Sequence, residues 1–310
     1  MRIAIVGTGL AGLSLGYFLA KIPGIYITFF DSKESGLGGA SFLPAGLLHP
    51  FPGKEARLSH EGEEALEASI ALLDELKSVS ACTGVFRPAI TEEQRFHFSK
   101  NALPGLSEWH SDGPFGPGLW IPKGRVVYMS RYLDALLQGT DAEVVRRKIC
   151  SEEELASFDR IVWTTGSETF DLPECRHLPL SRTKGHVLLC RTDRPVATPL
   201  SSYGHIAPTS DPALCVVGST YERKFFSSAP DPEKALPLLG QVARFYPLAR
   251  DFTPVSIITG IRIARSNSHL PLIEKISNKS IVFTGLGSRG LLYHALFAKK
   301  VIGSLVQKGS

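Results

Sequence analysis

Nowhere in the 310 residues is there an uninterrupted apolar run of about 18 residues, so no membrane-spanning helix is expected. Cysteine is sparse and scattered: Cys82, Cys150, Cys175, Cys190 and Cys215 form no C-x-x-C pair. The odd count and wide spacing argue against a disulfide framework or a zinc site, and a cytoplasmic, reducing location is expected. The stretch from His60 to Glu64 lacks the second histidine of a zinc-binding H-E-x-x-H, so no metal is expected there. Charge of one sign is not concentrated either. Thirty-four Lys and Arg stand against 30 Asp and Glu, a net charge of +4, which permits a polyanionic partner without requiring one. Internal repeats and low-complexity tracts are absent, and the composition, 43% apolar and 21% charged, is that of a soluble globular enzyme.

Glycine is plentiful, and its placement is specific. The β-branched run "RIAIV" leads into Gly7-x-Gly9-x-x-Gly12, and "LAGLSLGYFLAK" then reads as a helix. In that context Gly7 permits a tight turn, Gly9 lets backbone approach a pyrophosphate, and Gly12 lets helix pack on strand. The free N–H groups at Leu10 and Ala11 open the helix and favour an anion. Glycines at 7, 9, 12 and 16 make a poor export signal, so the first twenty residues are read as strand, turn and helix. A second strand, "IYITFF", ends in Asp31 and Ser32, nineteen residues beyond Gly12. An acid there is placed to accept hydrogen bonds from an adenosine ribose, and it would repel the 2′-phosphate of NADP.

The segment Gly36–Pro50 is rich in glycine and small residues where a plain NAD-binding unit would enter another helix. Gly38, Gly39, Ala40 and Ser41 offer backbone donors with little bulk, and Ala45, Gly46 and Leu47 continue the run; this favours FAD, with a surface loop as the alternative. "FDRIVWTTG" reads as a strand closing the central sheet, with Thr165 and Gly166 near the dinucleotide.

Residues 54–80 carry Leu58, Leu66, Ile70, Leu73 and Leu76 at helical spacing with acids between them, which predicts a helix with a solvated face. Residues 82–124 lose that period and fill with Pro and Gly. "YMSRYLDALL" reads as a helix, "GHVLLC", "GHIAPT" and "ALCVVGSTY" as strands, and "DPEKALPLLGQVARFY" as one helix kinked at its interior proline. The fold class expected is α/β, a Rossmann-like, discontinuous FAD-binding domain of residues 1–75, 125–172 and 256–310. A second, mostly antiparallel β-sheet domain for substrate takes 76–124 and 173–255.

A second Gly-x-Gly-x-x-Gly, Gly285 to Gly290, follows the strand "SIVFTG" near the end of the chain. A separate dinucleotide site would need another strand and an acid about 20 residues on. The twenty residues after Gly290 read as one helix and a short tail. The expectation is therefore one nucleotide held at both ends. Gly285, Gly287, Ser288, Arg289, Gly290 and Leu291 would put a helix N-terminus at the flavin ring, where it favours the negative charge of the reduced form. Arg289 adds a positive charge there or is an ordinary exposed arginine.

"GASFLPAGLLHP", "GHIAPTS", "VGSTYER", "GIRIARSNSHLPLI" and "GLGSRGL", in that order, make the chain resemble the D-amino-acid oxidase superfamily of FAD enzymes. Within it, the set is most similar to the oxidase domain of the bifunctional bacterial enzymes that make 5-methylaminomethyl-2-thiouridine in tRNA, and more distantly to glycine oxidase. The resemblance implies oxidation of a C–N bond next to a carboxylate by hydride transfer to flavin, followed by imine hydrolysis. In the tRNA branch the substrate is carboxymethylaminomethyl-uridine, an N-substituted glycine. A small amine or amino acid such as glycine, sarcosine or a D-amino acid is the alternative, and a non-catalytic flavin-binding partner a third.

Bifunctional relatives also carry an N-terminal methyltransferase domain, which this chain, with its flavin motif starting at Ile3, is expected to lack. The resemblance implies that Arg262 clamps the substrate carboxylate, with an ion pair to a nearby acid as the alternative. His205 stands where relatives carry a substrate-facing tyrosine, and His269 is read as a turn residue. With no cysteine after Cys215, FAD is expected to be non-covalent. Arg176, Arg182, Lys184, Arg223 and Lys224 are candidates for tRNA contact, or solvated side chains.

Overall fold

β-Branched and aromatic runs bounded by glycine form the strands, and the computed structural model, which describes residues 1–33 and 39–306, arranges them mainly in two sheets. Among the described residues the first sheet has six strands, in the spatial order Leu272–Lys275, Ser280–Thr284, Arg160–Trp163, Arg2–Val6, Tyr26–Asp31 and Glu143–Arg146. All neighbours run parallel except the edge strand Leu272–Lys275. Both faces are covered, which is why Ile3 to Val6 and Ser280 to Thr284 are buried without alternation. Helices Leu10–Leu19, Gly62–Glu75, Met129–Gln138 and Gly290–Val306 pack on one face through Leu13, Leu66, Leu73, Leu133 and Leu292.

The second sheet has eight strands: Thr253–Arg265, Leu180–Arg191, Leu214–Gly218, His205–Pro208, Leu200–Ser201, Val85–Pro88, Gly118–Ile121 and Glu108–His110. Its pairings are antiparallel apart from Leu200–Ser201 with Val85–Pro88. A small third sheet joins Gly46–Leu48, Arg125–Val127 and Ser80–Ala81. The expected α/β class with a separate antiparallel sheet is what the chain adopts.

Several elements differ from the sequence reading. The helix expected over 54–80 spans Gly62–Glu75, and Leu58 precedes it; its acids Glu63, Glu64, Glu67, Asp74 and Glu75 are exposed, as expected. The proline-containing helix is two short helices, Pro232–Ala235 and Pro237–Val242, because Pro237 lacks the N–H that would continue the first and instead opens the second. Arg160–Trp163 does not close the parallel sheet but lies inside it, between Arg2–Val6 and Ser280–Thr284. The thirteen-residue strand Thr253–Arg265 crosses the expected boundary at 255/256 and pairs along its length with Leu180–Arg191.

Candidate active site

Strand Arg2–Val6 delivers the first glycine turn, and its close approach is visible at Gly12. A Cβ on Gly12 would lie 2.0 Å from the carbonyl oxygen of Gly7 and 2.7 Å from Thr164 Oγ1. Gly12 therefore seats the helix on the turn and, unlike the other residues expected around the nucleotide, does not line the cavity described below. Asp31 closes the turn: its carboxylate accepts from the Thr8 N–H at 2.8 Å, the Thr8 hydroxyl at 2.7 Å and the Lys33 N–H at 3.0 Å. Helix Leu10–Leu19 begins without a side-chain cap from its N-cap residue or an acid in its first turn, and Ser41 Oγ accepts from the Leu10 N–H at 3.1 Å.

The second glycine turn ends strand Ser280–Thr284 and opens helix Gly290–Val306. That helix is held where it starts. The Ser69 hydroxyl donates to Leu292 O at 2.9 Å, and Tyr293 donates to His60 O at 2.7 Å. Within the helix, buried His294 bonds the Gly290 and Leu291 carbonyls through Nδ1 (3.2 and 3.0 Å) and Tyr132 through Nε2 at 2.5 Å.

One continuous cavity of about 660 Å³ joins the two turns. From the first it is lined by Gly7, Gly9, Leu10, Ala11, Asp31, Ser32, Gly39, Ala40, Ser41, Ala45, Gly46, Leu47, Thr165 and Gly166. From the second come Gly285, Gly287, Ser288, Arg289, Gly290 and Leu291, and from the antiparallel sheet His205 and Arg262. Gly38 lies outside the described residues.

Arg262 extends from strand Thr253–Arg265 across its neighbour. Its guanidinium lies on Gly185, where an added Cβ would fall 2.6 Å from Nη2, and 4.9 Å from the Tyr221 ring centroid on another side. A single long contact, 3.5 Å, reaches Thr220 O. No acid pairs with it among the described residues: the two carboxylates lining the cavity, Asp31 and Glu168, form no ion pair with Arg262 or Arg289. Burial nevertheless pulls the guanidinium below its ordinary pKa. The ion-pair alternative for Arg262 is thus not what the structure contains.

Burial and the Arg262 charge push His205 down to about 4. His49 is pushed further, to about 3, by burial and then by Arg87, His205 and Arg289. Both imidazoles are therefore neutral near pH 7, and His49 Nδ1 is buried without a hydrogen-bond partner. The charge of Arg289 also lowers His269, followed by burial. This end of the cavity is electrically positive through arginines, not histidines.

Sequence reasoning missed His49, Tyr221 and Arg87. Arg87 is buried, held down to about 10 by that burial, and donates to Phe51 O, to Gly53 O at 2.6 Å and to Ser201 O at 3.3 Å. It ties the 50s loop to the antiparallel sheet. "GLLHP" contained the signal for His49, a polar residue ending an apolar run, but only the folded chain turns it inward.

The family model for DAO, the FAD dependent oxidoreductases, matches residues 2–303. The chain belongs to this family. Similarity extends to the tRNA 5-methylaminomethyl-2-thiouridine biosynthesis bifunctional protein MnmC of Polaromonas naphthalenivorans (strain CJ2), 24% identical over 98% of this chain and 56% of that protein. The chain thus spans about half the length of that relative. Among solved structures, glycine oxidase from Geobacillus kaustophilus superposes with a TM-score of 0.85 at 20% identity, over 100% of this chain and 96% of that one. Iminodiacetate oxidase from Chelativorans sp. BNC1 does so with a TM-score of 0.81 at 16% identity, over 100% and 96%. These likenesses establish the shared fold.

The residues present fit the cofactor of this FAD-dependent family. The N-terminus of helix Leu10–Leu19, with no acid in its first turn, faces the cavity beside Gly9, and Gly7 keeps the turn tight, since a Cβ there would lie 2.6 Å from Thr164 O. A second helix N-terminus faces the other end, and the volume lies in the range of cofactor clefts, roughly 300–1,000 Å³. No helix among the described residues is long and apolar enough to cross a membrane.

Proposed function

We propose that this FAD-dependent oxidoreductase cleaves the C–N bond of an N-substituted glycine, with carboxymethylaminomethyl-uridine in tRNA as its substrate. The observation that carries the reading is Arg262. A desolvated guanidinium without an internal counter-ion is costly unless a ligand supplies the anion, and its planar fork matches a carboxylate. FAD, when bound, supplies the hydride acceptor. The protein's part is to clamp the carboxylate on Arg262 and so fix the adjacent carbon. Neutral His205 and His49 offer hydrogen bonds to the amine without adding charge, which favours its unprotonated form. Arg289 and the first turn of helix Gly290–Val306 favour negative charge developing at that end of the cavity. Water then hydrolyses the imine, leaving a primary amine and glyoxylate.

On this reading the first glycine turn and Asp31 hold the adenosine end, the second turn holds the ring, and the antiparallel sheet carries the substrate side. None of the five cysteines lines the cavity, which supports a non-covalent cofactor. The expected tRNA contacts need one correction: Lys184 is 3% exposed and donates to Ala229 O at 2.7 Å, so it is internal. Arg182 lies 3.8 Å from Asp171 and over the Phe170 ring at 4.2 Å.

An unpaired Arg262 would serve a free amino acid equally well, and that is the second reading. Anaerobic incubation of the flavin-loaded protein with modified tRNA separates the two. Bleaching with glyoxylate release is expected; bleaching by glycine or sarcosine alone, with unchanged carboxymethylaminomethyl-uridine in cells lacking the gene, would remove the tRNA substrate. No bleaching by any of them would favour a non-catalytic role.

A further inference from the structure

Segment 219–231 rises beside the cavity, where Ser219 and Tyr221 line the wall. It carries two of the most exposed aromatic side chains among the described residues, Phe226 at 109% and Tyr221 at 66% relative exposure. Arg223 and Lys224 between them are exposed, and neither makes a hydrogen bond or ion pair among the described residues. A partner covering Phe226 would gain about 1.5–3 kcal/mol of apolar transfer energy.

The exposure does not come from an untethered loop. At one end, Thr220 N–H donates to His186 O at 3.1 Å, and the Thr220 hydroxyl oxygen accepts from the His186 N–H at 2.8 Å. Glu222 and Lys184 exchange backbone hydrogen bonds, both 2.9 Å. At the other end, Lys184 Nζ donates to Ala229 O at 2.7 Å, Thr259 Oγ1 to Ser228 O at 2.8 Å, and Asp231 N–H to His186 Nε2 at 3.2 Å. The acids at the base, Glu222 and Asp231, are both paired with Lys234. What projects is a braced tip with two free cations and an aromatic ring. From Tyr221 to Phe226 the chain reaches at most about 18 Å.

We propose that this tip is an RNA-binding platform. Tyr221 and Phe226 stack on bases flanking the modified nucleotide, and Arg223 and Lys224 neutralise backbone phosphates. Aromatic faces interleaved with cations are the chemistry that grips an unpaired strand, because every base has a π-face and every linkage a charge. The inference rests on the tRNA reading above, since a free amino acid held by Arg262 would not touch the tip.

The test uses flavin-loaded protein and a fluorescent RNA stem-loop bearing carboxymethylaminomethyl-uridine in its loop, with the free nucleoside as a small substrate. Phe226→Ala is expected to weaken RNA binding by about 5- to 150-fold, the range of one base–aromatic stack. Arg223→Ala with Lys224→Ala should lower the slope of log K against log salt by about 1.4, at ~0.7 per phosphate. Both variants should keep wild-type flavin content, melting temperature and turnover of the free nucleoside.

Wild-type affinity and salt slope in both variants, with RNA bound by the parent, would overturn the platform and leave the tRNA reading standing. An unmodified protein that does not bind the stem-loop would sink both. Loss of concentration-dependent self-association in Phe226→Ala, with RNA binding intact, would reassign the tip to a contact between copies and overturn the proposal.

Discussion

Replacing Arg262 by alanine removes the guanidinium that lies on Gly185 and 4.9 Å from the Tyr221 ring centroid at the cavity wall. Truncating one partner of a buried charge pair costs about 2–5 kcal/mol, which at 1.4 kcal/mol per tenfold is roughly 30- to 4,000-fold in kcat/KM. The loss should fall on the reductive half-reaction, measured as the rate of anaerobic flavin bleaching against concentration of an N-substituted glycine. The folded protein should suffer little, because among the described residues Arg262 has no carboxylate partner to strand, and it loses only its contact with the Tyr221 ring and a 3.5 Å contact to Thr220 O. Flavin content and melting temperature are therefore expected to match the parent. Arg262→Lys keeps the charge but loses the fork and the stacking on Tyr221, and should lie between the two. Bleaching kinetics in Arg262→Ala indistinguishable from the parent would refute the clamp for any carboxylate substrate, whether free or on tRNA.

Gly12→Ala should yield a colourless or unstable protein, since its Cβ would sit 2.0 Å from a backbone oxygen that cannot swing aside; an ordinary flavin spectrum in that variant would count against the turn geometry. His49→Leu removes an unpartnered buried nitrogen, so the apoprotein's melting temperature should hold or rise while KM for substrate rises about 2- to 12-fold, and a fall in apo stability would speak against the reading. His205 and His294 sit near 4 and His49 near 3 in the folded chain, below the ordinary 6.5, so their contribution is complete above pH 6.5 and is lost as pH falls toward 4. Buried His294 alone sets a limit of about 1.4 kcal/mol per pH unit, and a melting temperature that stays flat from pH 7 to 5 would contradict it. Acid precipitation should release all the yellow colour into the supernatant, because no cysteine lines the cavity; colour retained in the pellet would indicate a covalent bond.

Certain features depended on local chain geometry alone, and these could be read directly. A strand, three spaced glycines and a helix make a tight turn with the helix close upon it, because the requirement is on backbone clearance, as Gly12 against Gly7 O shows. The acid at the end of the second strand is found by the same counting, and it gave the expectation of a nucleotide at the first turn. Buried strands were equally plain, since short apolar runs such as "SIVFT" have few other uses in a folded chain.

Pairing between distant side chains had no local signature. That among the described residues Arg262 lacks an acid and Arg223 and Lys224 have no ion pair, that Lys184 is internal, and that His49 turns inward are decided by residues far away in sequence. Arg262 lies on Gly185, 77 positions earlier, only because Thr253–Arg265 pairs with Leu180–Arg191. Helix limits also moved, since Leu58 fits the helical period yet packs before the helix begins. The sequence by itself determined the two glycine turns, which are built from backbone. Tertiary structure decided the charge and hydrogen-bonding state of the substrate end, because desolvation and pairing exist only once distant strands have met.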